Sequence, residues 1–147
     1  MNIREALPTD IPQLFLLESS CFADPWSQKS LRDTLKEDHS YLLIAEENGR
    51  ICGYLNTTFV LDEMNLNRIC VLPQYRRIGL GTALVGRMFD YARAHGICRI
   101  YLEVRQSNDS AQRVYRRFGF KVVGERANFY QNPTETGLVM SAPVLAE

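Results

Sequence analysis

Between Val71 and Arg87 the sequence V-L-P-Q-Y-R-R-I-G-L-G-T-A-L-V-G-R passes from a β-branched run through a basic, glycine-bearing turn into a helical pattern. Those residue types in that order are suited to holding a phosphate. Gly79 and Gly81 carry no Cβ, so a ligand can approach the main chain, and the first N–H groups of the helix starting there lack partners within it. The helix dipole and the guanidiniums of Arg76 and Arg77 add positive potential. No Lys-Ser or Lys-Thr pair follows the glycines, which excludes a Walker A loop. Leu84 stands where a dinucleotide fingerprint needs its third glycine. What remains, R-x-x-G-x-G from Arg76 to Gly81, is a pattern that an ordinary strand-to-helix loop also shows.

Three side chains downstream have chemistry to offer a bound ligand. In Ile100-Tyr101-Leu102-Glu103-Val104, strand alternation puts Glu103 on the face opposite Ile100, Leu102 and Val104. A carboxylate near the middle of a sheet can serve as general base, directly or through a water, or can pair with Arg99 or Arg105. Tyr115 lies on one helical stripe with Ala111, Val114 and Phe118. Its phenol, with an ordinary pKa of about 10, can donate towards a departing group or pack in a core. Asn108 can contact a ligand or cap the following helix.

The elements that position these residues follow from periodicity. Asn2 to Ala6 reads as a short strand, Thr9 or Asp10 as the cap of a helix ending near Ser20, and Ser27 as the cap of a second helix carrying Leu31 and Leu35. Tyr41–Ala45 and Ile51–Val60 are strands joined by a turn at Asn48-Gly49, and Met64–Val71 completes an antiparallel meander that runs into the glycine loop. Gly81 to His95 is a helix ended by Gly96, and Ile97 to Val104 a strand, a crossover that makes the two flanking strands parallel neighbours. A short helix to Phe118 and strands at Phe120–Tyr130 and Gly137–Ala142 follow. The expectation is a single α/β (α+β) domain over residues 1–147, one mixed sheet of six or seven strands with four helices.

Composition narrows the class. Lys plus Arg and Asp plus Glu both total 17, so a duplex-coating nucleic-acid binder is disfavoured. The chain lacks a membrane-length apolar stretch, and Met1-Asn2-Ile3-Arg4-Glu5 does not read as a signal peptide, so a cytoplasmic protein is expected. Cys21, Cys52, Cys70 and Cys98 form no C-x-x-C pair and are expected as buried thiols rather than disulfides. His39 and His95 are read as structural, and no metal site is expected.

The loop resembles the acyl-CoA diphosphate loop of the GCN5-related N-acetyltransferase (GNAT) family. L-E-V-R-x-S-N and then A-x-x-x-Y-x-x-x-G-F, following R-R-x-G-L-G-T-A-L, are similar to the RimI group of that family, bacterial enzymes acting on the N-terminal alanine of the eighteenth small-subunit ribosomal protein. Further likeness lies at Asp24-Pro25-Trp26-Ser27, at Val60-Leu61-Asp62-Glu63 and at Phe129-Tyr130. The resemblance covers essentially the whole chain.

It implies a splayed parallel strand pair that receives acetyl-CoA. The diphosphate would lie on Arg76, Arg77, Ile78, Gly79, Leu80, Gly81 and Thr82, the pantetheine along Ile69, Cys70 and Val71, with Asn108 as a side-chain contact. Glu103 would be the general base and Tyr115 the general acid, while Trp26, Asp62, Glu63, Phe129 and Tyr130 would hold a protein N-terminus. The amine would attack the thioester directly, because no histidine is placed to activate Cys70. Transfer to a lysine side chain, polyamine or small-molecule amine is an alternative, as is a non-catalytic acyl-CoA-binding module. The sequence departs from the group at Asn132-Pro133-Thr134-Glu135-Thr136-Gly137, where the group has a longer loop and then E-D-A.

Overall fold

Asn48 and Gly49 both adopt positive φ, 52° and 79°, the backbone that a two-residue turn between twisted strands demands. The turn joins β2 (Ser40–Glu47) to β3 (Arg50–Val60), with Glu47 opposite Arg50. This computed structural model describes residues 1–146. The remaining elements are β1 (Asn2–Glu5), α1 (Ile11–Cys21), α2 (Gln28–Leu35), β4 (Glu63–Val71), α3 (Leu80–Ala94), β5 (Arg99–Arg105), α4 (Asp109–Arg117), β6 (Lys121–Tyr130) and β7 (Glu135–Pro143). They build one mixed seven-stranded sheet in the order β1-β2-β3-β4-β5-β7-β6.

Its only parallel pair among the described residues is β4 with β5, as the crossover through α3 requires. That pairing runs from Glu63↔Arg99 to Leu66↔Leu102 and stops. A bulge in β4 explains where it stops. Asn56 pairs with Arg68 but Thr57 with Leu66, leaving Asn67 as an extra residue that turns β4 out of line with β5. Beyond it, Ile69 to Val71 keep β3 on one side, and Glu103 to Arg105 keep β7 on the other. The sheet therefore opens between them.

Helices cover both faces. α3 buries Leu80, Leu84, Val85, Met88, Phe89 and Ala92 against one face, joined by Tyr115 of α4 and by Phe120. α1 and α2 bury Ile11, Leu14, Leu17 and Leu31 against Leu42, Ile44 and Tyr54 on the other. The Ser27 side chain accepts from the Ser30 amide and starts α2 as expected. Asp10 behaves differently. Its carboxylate accepts from the Leu7 amide at 2.7 Å and from Arg4 at 2.8 Å, so it closes the single turn before α1 rather than capping α1. No helix among the described residues is long and apolar enough to cross a membrane.

The expectation of buried thiols holds at Cys52 and is corrected at the other three cysteines. Cys21, at the end of α1, is disulfide-bonded to Cys70 of β4, with their Cα atoms 6.6 Å apart, while Cys52 is buried and free and Cys98 exposed and free. The partners lie 49 residues apart, and only the packing of α1 across β4 brings them together. The histidines have packing contacts, His95 stacking on Tyr91 and His39 meeting Phe59 edge-on.

Candidate active site

A groove of about 800 Å³ enters the sheet where β4 and β5 part. Its walls include Ile69, Cys70 and Val71 of β4, Arg76, Arg77, Gly79, Leu80, Gly81 and Thr82 from the glycine turn and α3, and Asn108 and Tyr115 from α4 and its cap. Eleven positions expected at separate points in the sequence thus line one cavity.

At its basic end, Gly79 sits in the left-handed region at φ 83° and starts α3. Ala83 donates to the Gly79 carbonyl, whereas the N–H groups of residues 77–82 find no acceptor among the described residues. Such a row of free amides at a helix N-terminus suits an anion. A Cβ built on Gly81 would meet nothing within 4 Å, so packing does not require a glycine there and the space it leaves belongs to the groove. Arg76 turns its Nε to the Val71 carbonyl at 3.0 Å, and Arg77, at φ 68°, is exposed. Ile78 is exposed beside them and does not line the groove. Arg113 and Arg117, one helical turn apart on α4, face the same cavity. Their i, i+4 spacing is the sequence signal for this second basic contribution.

Along the groove, the β4 main chain divides by direction. Leu72 donates to the Cys52 carbonyl at 2.8 Å, so the two-residue alternation of the ladder turns the Cys70 backbone towards β3 as well. The backbone groups of Ile69 and Val71 then face the opening. Cys70 contributes its side chain to the wall instead.

The inner end gathers the titratable groups. Glu103 projects from β5 just past the last parallel pair, and its Oε2 is buried without a hydrogen-bond partner among the described residues. Its other oxygen lies 3.5 Å from Arg126 of β6, not from Arg99, which donates to Ser141, or from Arg105, which pairs with Glu135. Arg126 was missed because β7 lies between β5 and β6 in the sheet although it follows β6 in the chain. Tyr115 is 5% exposed, and burial first, then Tyr130, pushes its phenol well above the usual range. Its hydroxyl has no hydrogen-bond partner among the described residues while the side chain lines the groove. Burial and the nearby Glu103 carboxylate push the Tyr130 phenol up to about 12. The Tyr130 ring lies under the Arg105 guanidinium, 4.7 Å from its centroid, and meets Phe129 edge-on.

The Asn108 side chain accepts from the Ala111 amide at 3.2 Å, so it caps α4 and lines the groove at once. Trp26 sits on the α1–α2 turn with its amide donating to Glu18 at 3.0 Å, packed on the apolar cluster below that turn. Glu18 is fully buried, hydrogen-bonded by Tyr54 and 3.5 Å from Arg68, whose guanidinium covers the Phe22 ring and donates to the Asp24 carbonyl. This network under the turn had no signal beyond one Glu in an apolar helix. Asp62 and Glu63 stand apart. They are exposed at the start of β4, where the Asp62 carbonyl receives the Cys98 and Arg99 amides at the start of β5. Seven residues of strand separate Asp62 from Ile69, about 20 Å. The structure does not bring them to the groove.

The model of the acetyltransferase (GNAT) family matches residues 11–120, most of the chain. The chain belongs to the GNAT family. This GNAT acetyltransferase is 34% identical over 149 residues to the [Ribosomal protein bS18]-alanine N-acetyltransferase of Escherichia coli strain K12, covering 98% of this chain and 99% of that one. Its likeness to the enzyme of the same name from Haemophilus influenzae is 34% over 135 residues, 90% of this chain and 91% of the other. The crystal structure of the ribosomal-protein-S18-alanine N-acetyltransferase from Escherichia coli superposes with a TM-score of 0.90 at 31% identity, covering 99% and 95% of the two chains. As a GNAT acetyltransferase, the chain is an acyl-transferring enzyme with the mixed sheet and parted parallel strands expected of it.

Proposed function

We propose that this acetyltransferase moves the acetyl group of acetyl-CoA to a protein N-terminal α-amine, the N-terminal alanine of ribosomal protein bS18, in the cytoplasm. The observation that carries the reading is the opening between β4 and β5, with free amides at one end and Glu103 and Tyr115 at the other. The relatives named for bS18 acetylation supply the acceptor.

The residues fit the donor. The amides of residues 77–82 take the diphosphate, with Arg76, Arg77, Arg113 and Arg117 supplying positive potential. The amide-rich pantetheine pairs as a strand would with the Ile69 backbone and the Val71 amide, the Val71 carbonyl being held by Arg76 Nε. The incoming ammonium loses a proton to Glu103, whose unpartnered Oε2 is the open acceptor. The amine nitrogen then attacks the thioester carbonyl carbon, the C–S bond breaks, and its electron pair leaves on sulfur. The second proton shed by the nitrogen passes through water to that departing thiolate, giving the amide and the CoA thiol. Tyr115 keeps its proton at working pH and donates a hydrogen bond to that thiolate. Phe129 and Tyr130 flank the acceptor's first residues, and Trp26 shapes the facing turn. The disulfide-bonded sulfur of Cys70 takes no part, so transfer is direct.

Incubation with acetyl-CoA and an alanine-starting bS18 peptide, with the product mapped by mass spectrometry, is expected to place one acetyl group on the α-amine. Acetylation only of lysine side chains or small amines would reject the acceptor. Donor binding with no thiol release from any acceptor would reject the enzyme's proposed chemistry altogether.

A further inference from the structure

The Cys21–Cys70 disulfide forms part of the groove wall, beside the Ile69 and Val71 backbone on which the pantetheine is placed. The other two cysteines are absent from that wall. Of the bonded pair, Cys70 is buried at 6% exposure on β4, while Cys21, at the open end of α1, is half-buried. A sulfur electrophile thus lies in a cavity whose substrate leaves as a thiol.

We propose that Cys21–Cys70 is a thiol-exchange site for coenzyme A, at which the released cofactor becomes disulfide-linked to Cys21 inside its own groove. The inference rests on the acetyl-CoA reading of the groove. In the step, the CoA thiolate attacks Cys21 Sγ and forms a new S–S bond. The Cys21–Cys70 bond breaks, and its electron pair leaves on Cys70 Sγ, which takes a proton from water. One disulfide is consumed and one is made, so no external oxidant or reductant enters. Attack is placed on Cys21 because it is the more exposed residue of the pair. The tethered CoA fills the donor groove and excludes acetyl-CoA. The Cys70 thiolate reverses the step by attacking Cys21 Sγ and releasing CoA.

Acetyl-CoA does not react, since its sulfur is acylated. Only the product therefore engages the disulfide, and the step acts as a covalent form of product inhibition. Docking by the diphosphate holds the thiol at an effective concentration on the order of mM, so at about 10 μM thiol CoA outpaces undocked glutathione by about 10²-fold.

The test incubates the oxidised protein with reduced CoA without air, quenches with acid, alkylates free thiols and maps adducts by mass spectrometry. The expected result is one CoA on Cys21 and an alkyl group on Cys70. Excess acetyl-CoA is expected to suppress it, and glutathione to react about 10²-fold more slowly at about 10 μM. Free Cys52 and Cys98 serve as internal controls, because a reduced thiol cannot add to another without an oxidant. Cys70→Ser and Cys21→Ser lack the disulfide, and each is expected to give no adduct. An adduct on either variant, or glutathione reacting as fast as CoA, would overturn the proposal. Calorimetry with CoA separates the two readings. Binding without an adduct overturns the exchange site and leaves the donor groove standing, whereas absence of binding overturns both.

Discussion

Tyr115 shows how one environment sets a residue's task. The same burial that pushes its phenol up leaves its hydroxyl without a partner among the described residues, the state in which the proposed mechanism uses it as a neutral donor to the thiolate. Tyr115→Phe removes that donor and little volume. It is expected to lower kcat by about 10²-fold while donor binding stays near its original strength, read by steady-state thiol release and calorimetry. An unchanged rate would take Tyr115 out of the chemistry. Two carboxylates act on stability with opposite signs. Burial raises the Glu18 carboxyl, so its contribution is complete below about 4.3 and is lost as pH rises through the folded value. The hydrogen bond from Arg4 lowers Asp10, whose contribution is present above about 3.9 and is lost as pH falls through its folded value. In Tm measured against pH, Glu18→Gln is expected to flatten the first slope and Asp10→Asn the second. A variant retaining its slope would assign that slope elsewhere.

At the scale of elements, the strand-to-helix junction separates two uses of glycine. Gly79 is needed for a positive φ, and Gly81 is not. Gly81→Ala improves helix propensity by up to about 1 kcal/mol and meets no protein atom, yet its methyl enters the groove. The expected outcome is a more stable protein with weaker donor binding, seen by urea denaturation and by KM for acetyl-CoA. Equal donor affinity would mean that the ligand does not approach there. This junction was legible in the sequence because its signals are local: β-branched run, glycines, helical stripe. The same holds for the Asn48-Gly49 turn, the Ser27 cap and the crossover that makes β4 and β5 parallel. Arg126 beside Glu103, the Cys21–Cys70 bond and the Glu18–Arg68 network were not legible, because each depends on which distant elements become neighbours. Asp62 and Glu63 illustrate the converse. A resemblance suggested them for the acceptor site, and strand direction puts them at the opposite end of β4 from the residues that line the groove.

For the whole molecule, one sheet joins two apolar layers, so neither helix layer folds independently of the other. Leu84 under α3 and Leu31 under α2 are both fully buried. Replacing either with Ala is expected to cost about 2–5 kcal/mol, with one cooperative urea transition in each case. Two separable transitions in either variant would show that the layers are not coupled through the sheet.

The bulge at Asn67 has a consequence for exchange with solvent. By ending the β4–β5 ladder early, it leaves Ile69 and Val71 with amides that lie in the interior of a sheet yet answer to no strand. Their protons are expected to exchange in the free enzyme as those of a frayed terminus do, although their neighbours along the chain pair with β3. On the proposed reading the pantetheine would stand as an eighth strand against them, and CoA is expected to slow the exchange of both protons, as amide hydrogen exchange with and without CoA would show.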